Sequence, residues 1–203
     1  MSQEAIWKRL VVGEESEVLL RNTMRRVAHG LSEMINQPIT ANMPRIKQIP
    51  IAQVGTNAGA PDAEMVGIYL RIEAGLRGQA IIILPLTFAL NLVDLVMANP
   101  RGSSLSLGMV ERSALGEVGN LTLSYFLNAV STLMEEVEML QPSPPVVMVD
   151  MLGAILNIIA APAAFMSDSL LVIETIFQDV ARSVWIRLWV LPDPTIDWTS
   201  LLP

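Results

Sequence analysis

Hydrophobic and polar residues follow a helical period over the long segment 108–140. At about 100° per residue, its small polar and acidic side chains fall on one side of a helix; they are Ser113, Glu117, Asn120, Ser124, Asn128, Ser131, Glu135 and Glu138. The opposite side is apolar and consists of Leu115, Val118, Phe126, Ala129, Leu133, Val137 and Leu140. We therefore predict a helix over about Gly108 to Leu140 that buries its apolar face and turns this polar stripe toward solvent or a partner.

Two glycines lie inside this helix beside its polar stripe. Gly116 and Gly119 each cost up to about 1 kcal/mol relative to alanine in a helix. One explanation of this cost is that the backbone of a partner protein approaches the helix closely at these glycines. Tight packing of the helix onto the protein's own core explains it equally well, and the sequence leaves both explanations open.

The rest of the chain repeats one order of elements. In the first half the pattern predicts a helix, an extended piece, two strands and a helix: about Glu15 to Asn36, a piece ending near Pro50, Met65 to Glu73, Gly78 to Leu84, and Thr87 to Met97. In the second half the long helix precedes a strand, a short helix, two strands and a terminal helical turn: Val146 to Asp150, Leu152 to Ala160, Leu170 to Phe177, and Ser183 to Leu191. Hairpin breaks are predicted at Ala74-Gly75 and at Gln178 to Arg182.

This diverged internal repeat predicts an α+β fold with pseudo-twofold symmetry. We expect a largely antiparallel sheet with the two long helices packed on one side. Residues 1–203 should form a single domain of two half-repeats, about 12–98 and 105–203. The link Asn99 to Ser104 contains Pro and Gly that end the preceding helix, so it is predicted as the hinge between the halves.

Composition excludes several classes of function. With 52% hydrophobic and 16% charged residues among 203, the chain can bury a sizeable core and is not disordered. A net charge of -7 argues against nucleic-acid binding, which needs clustered Lys and Arg. Because the chain has no Cys and a single His, thiolate zinc sites, cysteine nucleophiles and multi-histidine metal sites are excluded.

Neither membrane insertion nor export is expected. The first ten residues carry charges where a signal peptide needs its apolar segment. Two apolar runs, Ala80 to Ala98 and Val146 to Met166, are interrupted by residues that are costly in a lipid-facing span; these are Pro85, Asn91, Asp94, Asp150, Asn157 and Pro162. We therefore predict a cytoplasmic protein.

Ser113, Glu117 and Asn120 reproduce a known signature, Asp/Ser-x-x-x-Glu-x-x-Asn. In this respect the chain resembles the CheC and CheX phosphatases of bacterial chemotaxis, and most closely CheC. The likeness continues in order and approximate spacing through further segments: Gly30 to Ile39, Tyr125 to Ser131, Pro142 to Leu156, Ser169 to Phe177, and Trp189 to Pro194. The family signature also includes a proline about two dozen residues after the Asn, and Pro142, Pro144 and Pro145 bracket that position. Which of the three corresponds is left open.

The resemblance implies the pseudo-twofold fold already predicted, and a comparison of the two half-repeats indicates a single active site. Many CheC proteins carry this Glu-x-x-Asn pair in both halves. When Ser131 is matched to Ser32, the residues that fall under Ser113, Glu117 and Asn120 are Glu14, Val18 and Arg21. The carboxylate and amide are absent from the first helix, whose stripe is basic. We expect this helix to serve packing or a different contact.

The resemblance also implies a substrate, a phosphorylated CheY-like response regulator that carries its own Mg²⁺, with no cofactor on this chain. Asn120 would orient the attacking water, because a carboxamide offers both a donor and an acceptor. Glu117 would anchor the regulator's active-site lysine, since its charge suits it poorly to the water-positioning role beside a phosphoryl group. Ser113, Gly116 and Ser124 are expected to contact the partner.

Two alternatives remain from the sequence. The first is a non-enzymatic sensor of the phosphorylated regulator, or an adaptor that binds a CheD-like deamidase. The second is a relative of flagellar-switch proteins. We expect this less, because the chain ends at Pro203 without room for their additional C-terminal domain.

Three other carboxylates could be considered for hydrolysis: Asp150, Glu174 and Asp193. They share no spacing and are predicted to be solvated or capping.

Overall fold

The computed structural model describes residues 2–73, 75–133, 140–181 and 184–196. Within these ranges the chain forms, in order, α1 (Gln3–Val11), α2 (Glu14–Ile35), β1 (Ile39–Ala41), β2 (Arg45–Pro50), a 3-10 turn (Ile51–Gln53), α3 (Val54–Asn57), β3 (Glu64–Ile72), β4 (Gly78–Pro85), α4 (Leu86–Val96), α5 (Met109–Leu133), β5 (Val146–Met151), α6 (Leu152–Ala163), β6 (Ser169–Asp179) and β7 (Trp185–Pro192). The predicted elements are found in the predicted order as far as β7, and the predicted terminal helical turn falls partly on residues 197–203, outside the described residues. The long helix was predicted to end at Leu140; residues 134–139 lie outside the described residues, and Leu140 is not helical.

The seven strands form one antiparallel sheet. Its order is β1-β6-β7-β4-β3-β5, and β2 also pairs with β6. Exchanging β2 with β5, β3 with β6 and β4 with β7 reverses the order of these six strands and leaves the pairing unchanged. The predicted antiparallel α+β fold with pseudo-twofold symmetry is confirmed.

The two halves exchange strands across the sheet. β2 lies beside β6, with Arg45 opposite Glu174, and β5 lies beside β3, with Met65 opposite Asp150. The central pair, β4 and β7, also joins the halves. Each half therefore contributes a hairpin to its own side of the sheet and an outer strand to the other side.

Helices cover both faces of the sheet. The larger hydrophobic cluster holds the buried faces of α1, α2, α4 and α5, and the smaller one holds those of α3 and α6. Along β4, Ala80, Ile82 and Leu84 point into the first cluster, whereas Ile81 and Ile83 point into the second, because successive side chains of a strand face opposite sides. The two long helices thus pack on the same side, as predicted.

The long helices α2 and α5 touch directly. At Gly30 of α2, a Cβ atom would overlap the ring of Tyr125 of α5, so glycine is needed for this close approach. The contact fixes how the two helices lie against one another above the sheet.

Two helices were not predicted, the four-residue α3 and the longer α1. Helix α1 begins after Ser2, whose side chain accepts a hydrogen bond from Ala5 N, as N-cap residues do. Its Trp7 is fully buried and donates from Nε1 to the carbonyl oxygens of Leu76 (2.8 Å) and Arg77 (3.1 Å). The helix therefore closes over the turn between β3 and β4.

The link between the halves is held by a buried carboxylate. Asp94 of α4 is fully buried and accepts hydrogen bonds from the amides of Gly102 (2.7 Å), Ser103 (3.1 Å) and Ser104 (2.9 Å). Burial alone would raise the pKa of this carboxyl, but the hydrogen bonds from Ser104 and the neighbouring amides outweigh it and hold the pKa below its usual value. The predicted hinge is therefore anchored to α4.

The described part of the chain contains no helix that is both long and apolar enough to span a membrane.

Candidate functional site

Helix α5 presents its polar stripe outward. Ser113, Glu117 and Asn128 are exposed, and Asn120 and Ser124 are half-buried. This agrees with the prediction for the part of the stripe that is described. Glu135 and Glu138, which complete the predicted stripe, lie outside the described residues.

The opposite face of α5 is buried in the larger cluster. Leu115, Val118, Phe126 and Ala129 are at most 2% exposed, as the helical period predicts. This burial fixes the rotation of the helix about its axis, and the rotation in turn decides that Glu117 and Asn120 face away from the sheet.

The close backbone approach at the two glycines is to the protein's own core. A Cβ atom at Gly119 would lie 2.5 Å from Cγ2 of Ile68 on β3, and one at Gly116 would lie 3.3 Å from Cγ of Pro145. Both glycines are buried. A direct partner contact through Gly116, as the sequence analysis expected, is therefore not supported, because this residue faces the sheet side of the helix.

The start of α5 is tied to β5 and to the segment before it. Arg112 donates from Nε to the Leu107 carbonyl (3.1 Å) and from Nη1 to the Val147 carbonyl (3.3 Å). Pro145 lies against Gly116. The first turns of the helix, which carry Ser113 and Glu117, are thus held at a fixed place beside the edge of the sheet.

The three candidate prolines have different surroundings. Pro142 bridges to Ile72 at the edge of the sheet, Pro144 is exposed, and Pro145 packs on the helix at Gly116. Pro145 therefore contacts the helix that carries Glu117 and Asn120.

The side chains of Glu117 and Asn120 have no partner within the described residues, where neither forms a hydrogen bond or an ion pair. A carboxylate and a carboxamide one turn apart are therefore both available to an external group. Exposed apolar side chains lie on α5 and on the segments flanking it, and we call them the apolar rim: Leu105, Met109, Val110 and Val146. A site of uncommitted polar groups beside an apolar rim has the composition of a protein-binding surface.

The other candidate carboxylates have structural roles. Asp150 is exposed and accepts from its neighbour Met151 N (2.7 Å), so the prediction of a solvated carboxylate is confirmed for it. Asp193 accepts from Thr195 N (2.9 Å) and so caps the turn after β7.

For Glu174 the prediction is wrong. Glu174 is only 5% exposed, pairs with Lys47 Nζ at 2.6 Å and accepts from Trp189 Nε1 at 2.9 Å. Burial would raise the pKa of this carboxyl, but Lys47 and Trp189 hold it below the usual value. The ion pair lies between β2, β6 and β7, on the other face of the sheet from α5, so Glu174 is remote from the polar stripe.

No metal centre is found in the ranges that the structure describes, since nowhere in them do three His, Asp or Glu side chains converge. The single histidine, His29, is exposed on α2 with Nε2 3.5 Å from Glu33 Oε1.

Comparison with known proteins finds a relative by sequence and several by structure. No family model matches the chain. It is 26% identical to the CheY-P phosphatase CheC of Bacillus subtilis (strain 168) over 170 residues, which span 82% of this chain and 80% of that protein.

Solved structures of the same fold include FliY of Thermotoga maritima, with a TM-score of 0.68 and 17% identity over 90% of this chain and 92% of that chain. Another is the CheX–CheY–BeF3–Mg²⁺ complex from Borrelia burgdorferi, with a TM-score of 0.55 and 14% identity over 85% of this chain and 96% of that chain. At these identities the structural likeness is one of fold. The resemblance to the CheC and CheX family is thereby confirmed, in sequence by CheC and in fold by the solved structures.

Proposed function

We propose that this protein is an aspartyl-phosphate phosphatase that acts on a phosphorylated CheY-like response regulator in bacterial chemotaxis or two-component signalling. The observation that carries the proposal is the outward-facing pair Glu117 and Asn120, which has no partner among the described residues. The similarity to CheC, a CheY-P phosphatase, supports the choice of substrate. We expect the reaction to take place in the cytoplasm.

Asn120 is proposed to orient the attacking water. Its carboxamide oxygen can accept a hydrogen bond from the water while its amide can donate toward the phosphoryl oxygens. Phosphoryl transfer is catalysed largely by positioning and charge neutralisation, so a fixed water in line with the scissile P–O bond needs no strong base. Half-burial of Asn120 on a rigid helix suits this role, because a side chain with restricted motion positions a water more accurately.

Glu117 is proposed to anchor the regulator through its active-site lysine. A carboxylate close to the phosphoryl group would be repelled by it, whereas a carboxylate paired with a lysine strengthens docking. Glu117 is exposed and lies one turn before Asn120, so both can reach one partner surface.

Ser113 and Ser124 are proposed to line the contact on either side of the pair. Both are on the outward stripe. Gly116 would act indirectly, by letting Pro145 approach the helix at 3.3 Å from its potential Cβ position. For the same reason we propose Pro145, among the three candidates, as the counterpart of the family proline.

The regulator would supply the divalent metal. In the CheX–CheY complex of Borrelia burgdorferi, the crystallised assembly contains BeF3 and Mg²⁺. By analogy, Mg²⁺ and the phosphoryl group would belong to the partner, and this chain would contribute only positioning and docking groups.

The decisive experiment is the decay of a phosphorylated CheY-like regulator in Mg²⁺, with wild-type protein, Asn120→Ala or no addition. We expect acceleration by the wild type and a loss of about 100-fold or more with Asn120→Ala, because the water loses its orienting group. Binding of the phosphorylated regulator should persist in the variant.

The matched control is Asn128→Ala, which removes the same side chain from the same stripe about two turns further on, where it is exposed. We expect near wild-type decay with this control. Wild-type acceleration by Asn120→Ala would refute the proposed mechanism.

An adaptor function is the second candidate, and a separate surface favours it. Helix α6 and the turn that follows it expose an apolar face, which we define as Ala154, Ile158 and Ala161 of the helix and Phe165 of the turn. Phe165 is 90% exposed, and no charged residue occurs between Leu152 and Ser167. Such a face on the opposite side of the sheet from α5 fits a second protein partner, for which a CheD-like deamidase is the proposed candidate.

The two functions respond differently to substitution. Pure adaptor activity would be indifferent to Asn120→Ala and sensitive to Phe165→Asp, whereas phosphatase activity would show the opposite pattern. Measurable regulator binding without accelerated decay would favour the sensor or adaptor function.

A further inference from the structure

Helix α2 carries a counterpart of the α5 stripe in register with it. A shift of 99 residues matches Ser32 to Ser131, and every buried position of α2 from Ser16 to Leu31 then falls on a buried position of α5. The converse fails at Gly116 and Val118, which fall on exposed Glu17 and half-buried Leu19. The matching buried pairs include Ser16 with Leu115, Leu20 with Gly119, Thr23 with Thr122, Met24 with Leu123, Val27 with Phe126, Ala28 with Leu127, Gly30 with Ala129, and Leu31 with Val130. The burial of each helix is set by its own side of the sheet, so this agreement supports the register independently of the sequence match.

The same register matches exposed positions to the polar stripe of α5. Val18 corresponds to Glu117, Arg21 to Asn120, Arg25 to Ser124, and His29 to Asn128, and all four residues of α2 are exposed. We call these four residues the α2 stripe. It faces outward from its half of the fold as the α5 stripe does from the other half.

The chemistry of the α2 stripe is cationic. In the described part of the chain, Arg21 and Arg25 form no hydrogen bond or ion pair, whereas His29 lies 3.5 Å from Glu33. Two unpaired guanidinium groups one turn apart on a protein of net charge -7 favour an anionic group over a neutral or cationic one.

A concavity lies beside these charges. Between α2 and β1, a groove of about 340 Å³ is lined by residues that include Arg25, His29, Ser32 and Thr40. The Ser32 and Thr40 hydroxyls already donate to the carbonyl oxygens of Ala28 and Gln178, so the groove offers an anionic partner space beside Arg25 and His29, and the arginine supplies the donors.

We propose that the α2 stripe docks a second molecule of the phosphorylated regulator and leaves its phosphate intact. This inference rests on the proposed function, because it assumes the same partner that is proposed for the α5 site. The pseudo-twofold presents the same backbone shape at both stripes, and a guanidinium group binds phosphoryl oxygens in bidentate geometry.

The docked phosphate would not be hydrolysed at α2. An arginine side chain has donors only and no acceptor. Arg21 therefore cannot accept a hydrogen bond from an attacking water, as the carboxamide oxygen of Asn120 can. Val18 supplies no carboxylate for the regulator's lysine, which makes this site the weaker of the two. The α2 stripe would thus retain phosphorylated regulator beside a helix that consumes it.

The test counts regulator molecules bound to the chain. Calorimetric titration in Mg²⁺ and beryllofluoride, which mimics the phosphoryl group without turnover, should give two regulators per wild-type chain. We expect one per chain for Arg21→Ala/Arg25→Ala and one for Glu117→Ala/Asn120→Ala. The binding that remains in the second variant should weaken steeply with added salt, since it depends on exposed charges.

The matched control is Arg26→Ala, which removes the same charge from an exposed position of α2 off the stripe and should leave two regulators bound. One regulator per wild-type chain, or two in Arg21→Ala/Arg25→Ala, would overturn this inference and leave the phosphatase proposal standing. Two regulators per chain without accelerated decay would instead contradict the phosphatase proposal. No binding by any variant would overturn both.

Discussion

At Gly119, α5 lies close against strand β3 of the sheet. The missing side chain of this glycine leaves room for Cγ2 of Ile68, which would lie only 2.5 Å from a Cβ atom. A helical glycine is otherwise unfavourable by about 1 kcal/mol relative to alanine, so packing must outweigh propensity here. The same contact holds Asn120, the next residue, at its distance from the sheet.

We predict that Gly119→Ala lowers the free energy of unfolding by about 1–3 kcal/mol, because an overpacked core contact must be relieved by shifts of β3 or α5. Urea denaturation followed by circular dichroism measures this change. Gly116→Ala is the matched control, since its nearest atom is Pro145 Cγ at 3.3 Å, and it should cost less. A Gly119→Ala protein as stable as the wild type would contradict the packing argument.

At this scale the sequence predicted the outward direction of Glu117 and Asn120, because the helical period alone decides it. It left the two explanations of the glycines open, since both require a close neighbour and only the fold identifies Ile68 as that neighbour. Glu174 was wrongly predicted to be solvated. Its burial depends on Lys47 and Trp189 from distant strands, which no local pattern reports.

Among the elements, α4 and the link that follows it depend on one another. Asp94 accepts three amide hydrogen bonds from residues 102–104. The Asp94 carboxylate therefore holds the link against α4. It also supplies hydrogen-bond acceptors to the backbone amides of the link, which would otherwise lack them.

We predict that Asp94→Asn lowers the free energy of unfolding by about 1–3 kcal/mol at neutral pH, because an NH2 group replaces one acceptor oxygen facing these amides. The folded-state pKa of Asp94 is below its unfolded value. Its contribution is therefore complete above the unfolded pKa, near 4, and is lost as pH falls through the folded pKa. The stability difference between wild type and variant should shrink over that acidic range.

Urea denaturation at a series of pH values tests this. Asp62→Asn, an exposed carboxylate of another loop, is the control and should show little difference from the wild type at any pH. A difference between Asp94→Asn and the wild type that stays constant down to low pH would contradict the assignment.

The elements differ in how well the sequence predicted them. The strands of both hairpins and the long helices were found from their hydrophobic periods. Helix α1 was missed, although Ser2 and the spacing of Ile6, Trp7, Leu10 and Val11 are a usable signal. Its stability comes from Trp7 and the β3–β4 turn, a tertiary contact that a charged nine-residue segment does not indicate by itself.

On the scale of the whole molecule, the internal repeat predicted the symmetry but not the exchange of strands. A sequence repeat indicates that two similar units exist. It does not indicate whether the strands of each unit pair with one another or with strands of the other unit. The pairing of β2 with β6 and of β5 with β3 depends on the sheet as a whole.

We predict that neither of the proposed halves folds alone. A fragment of residues 1–98, the first half with α1 added, lacks the partners of β2, β3 and β4 from the other half, and a fragment of residues 105–203 lacks the reciprocal ones. Each should show little native tertiary structure by near-ultraviolet circular dichroism, and an equimolar mixture should regain it. Cooperative unfolding of an isolated fragment would contradict this prediction, and the intact chain is the control.

The central strand pair also sets an order of events during synthesis. Since β4 ends at Pro85 and its neighbour β7 begins only at Trp185, the growing chain must carry β4 paired with β3 on one edge only for about a hundred residues of translation. The other edge of the apolar strand Gly78–Pro85 is then open to other nascent chains. The pairing of β4 is thus complete only once β7, Trp185–Pro192, has been made, so synthesis of that strand is the step that protects this edge of the sheet from aggregation.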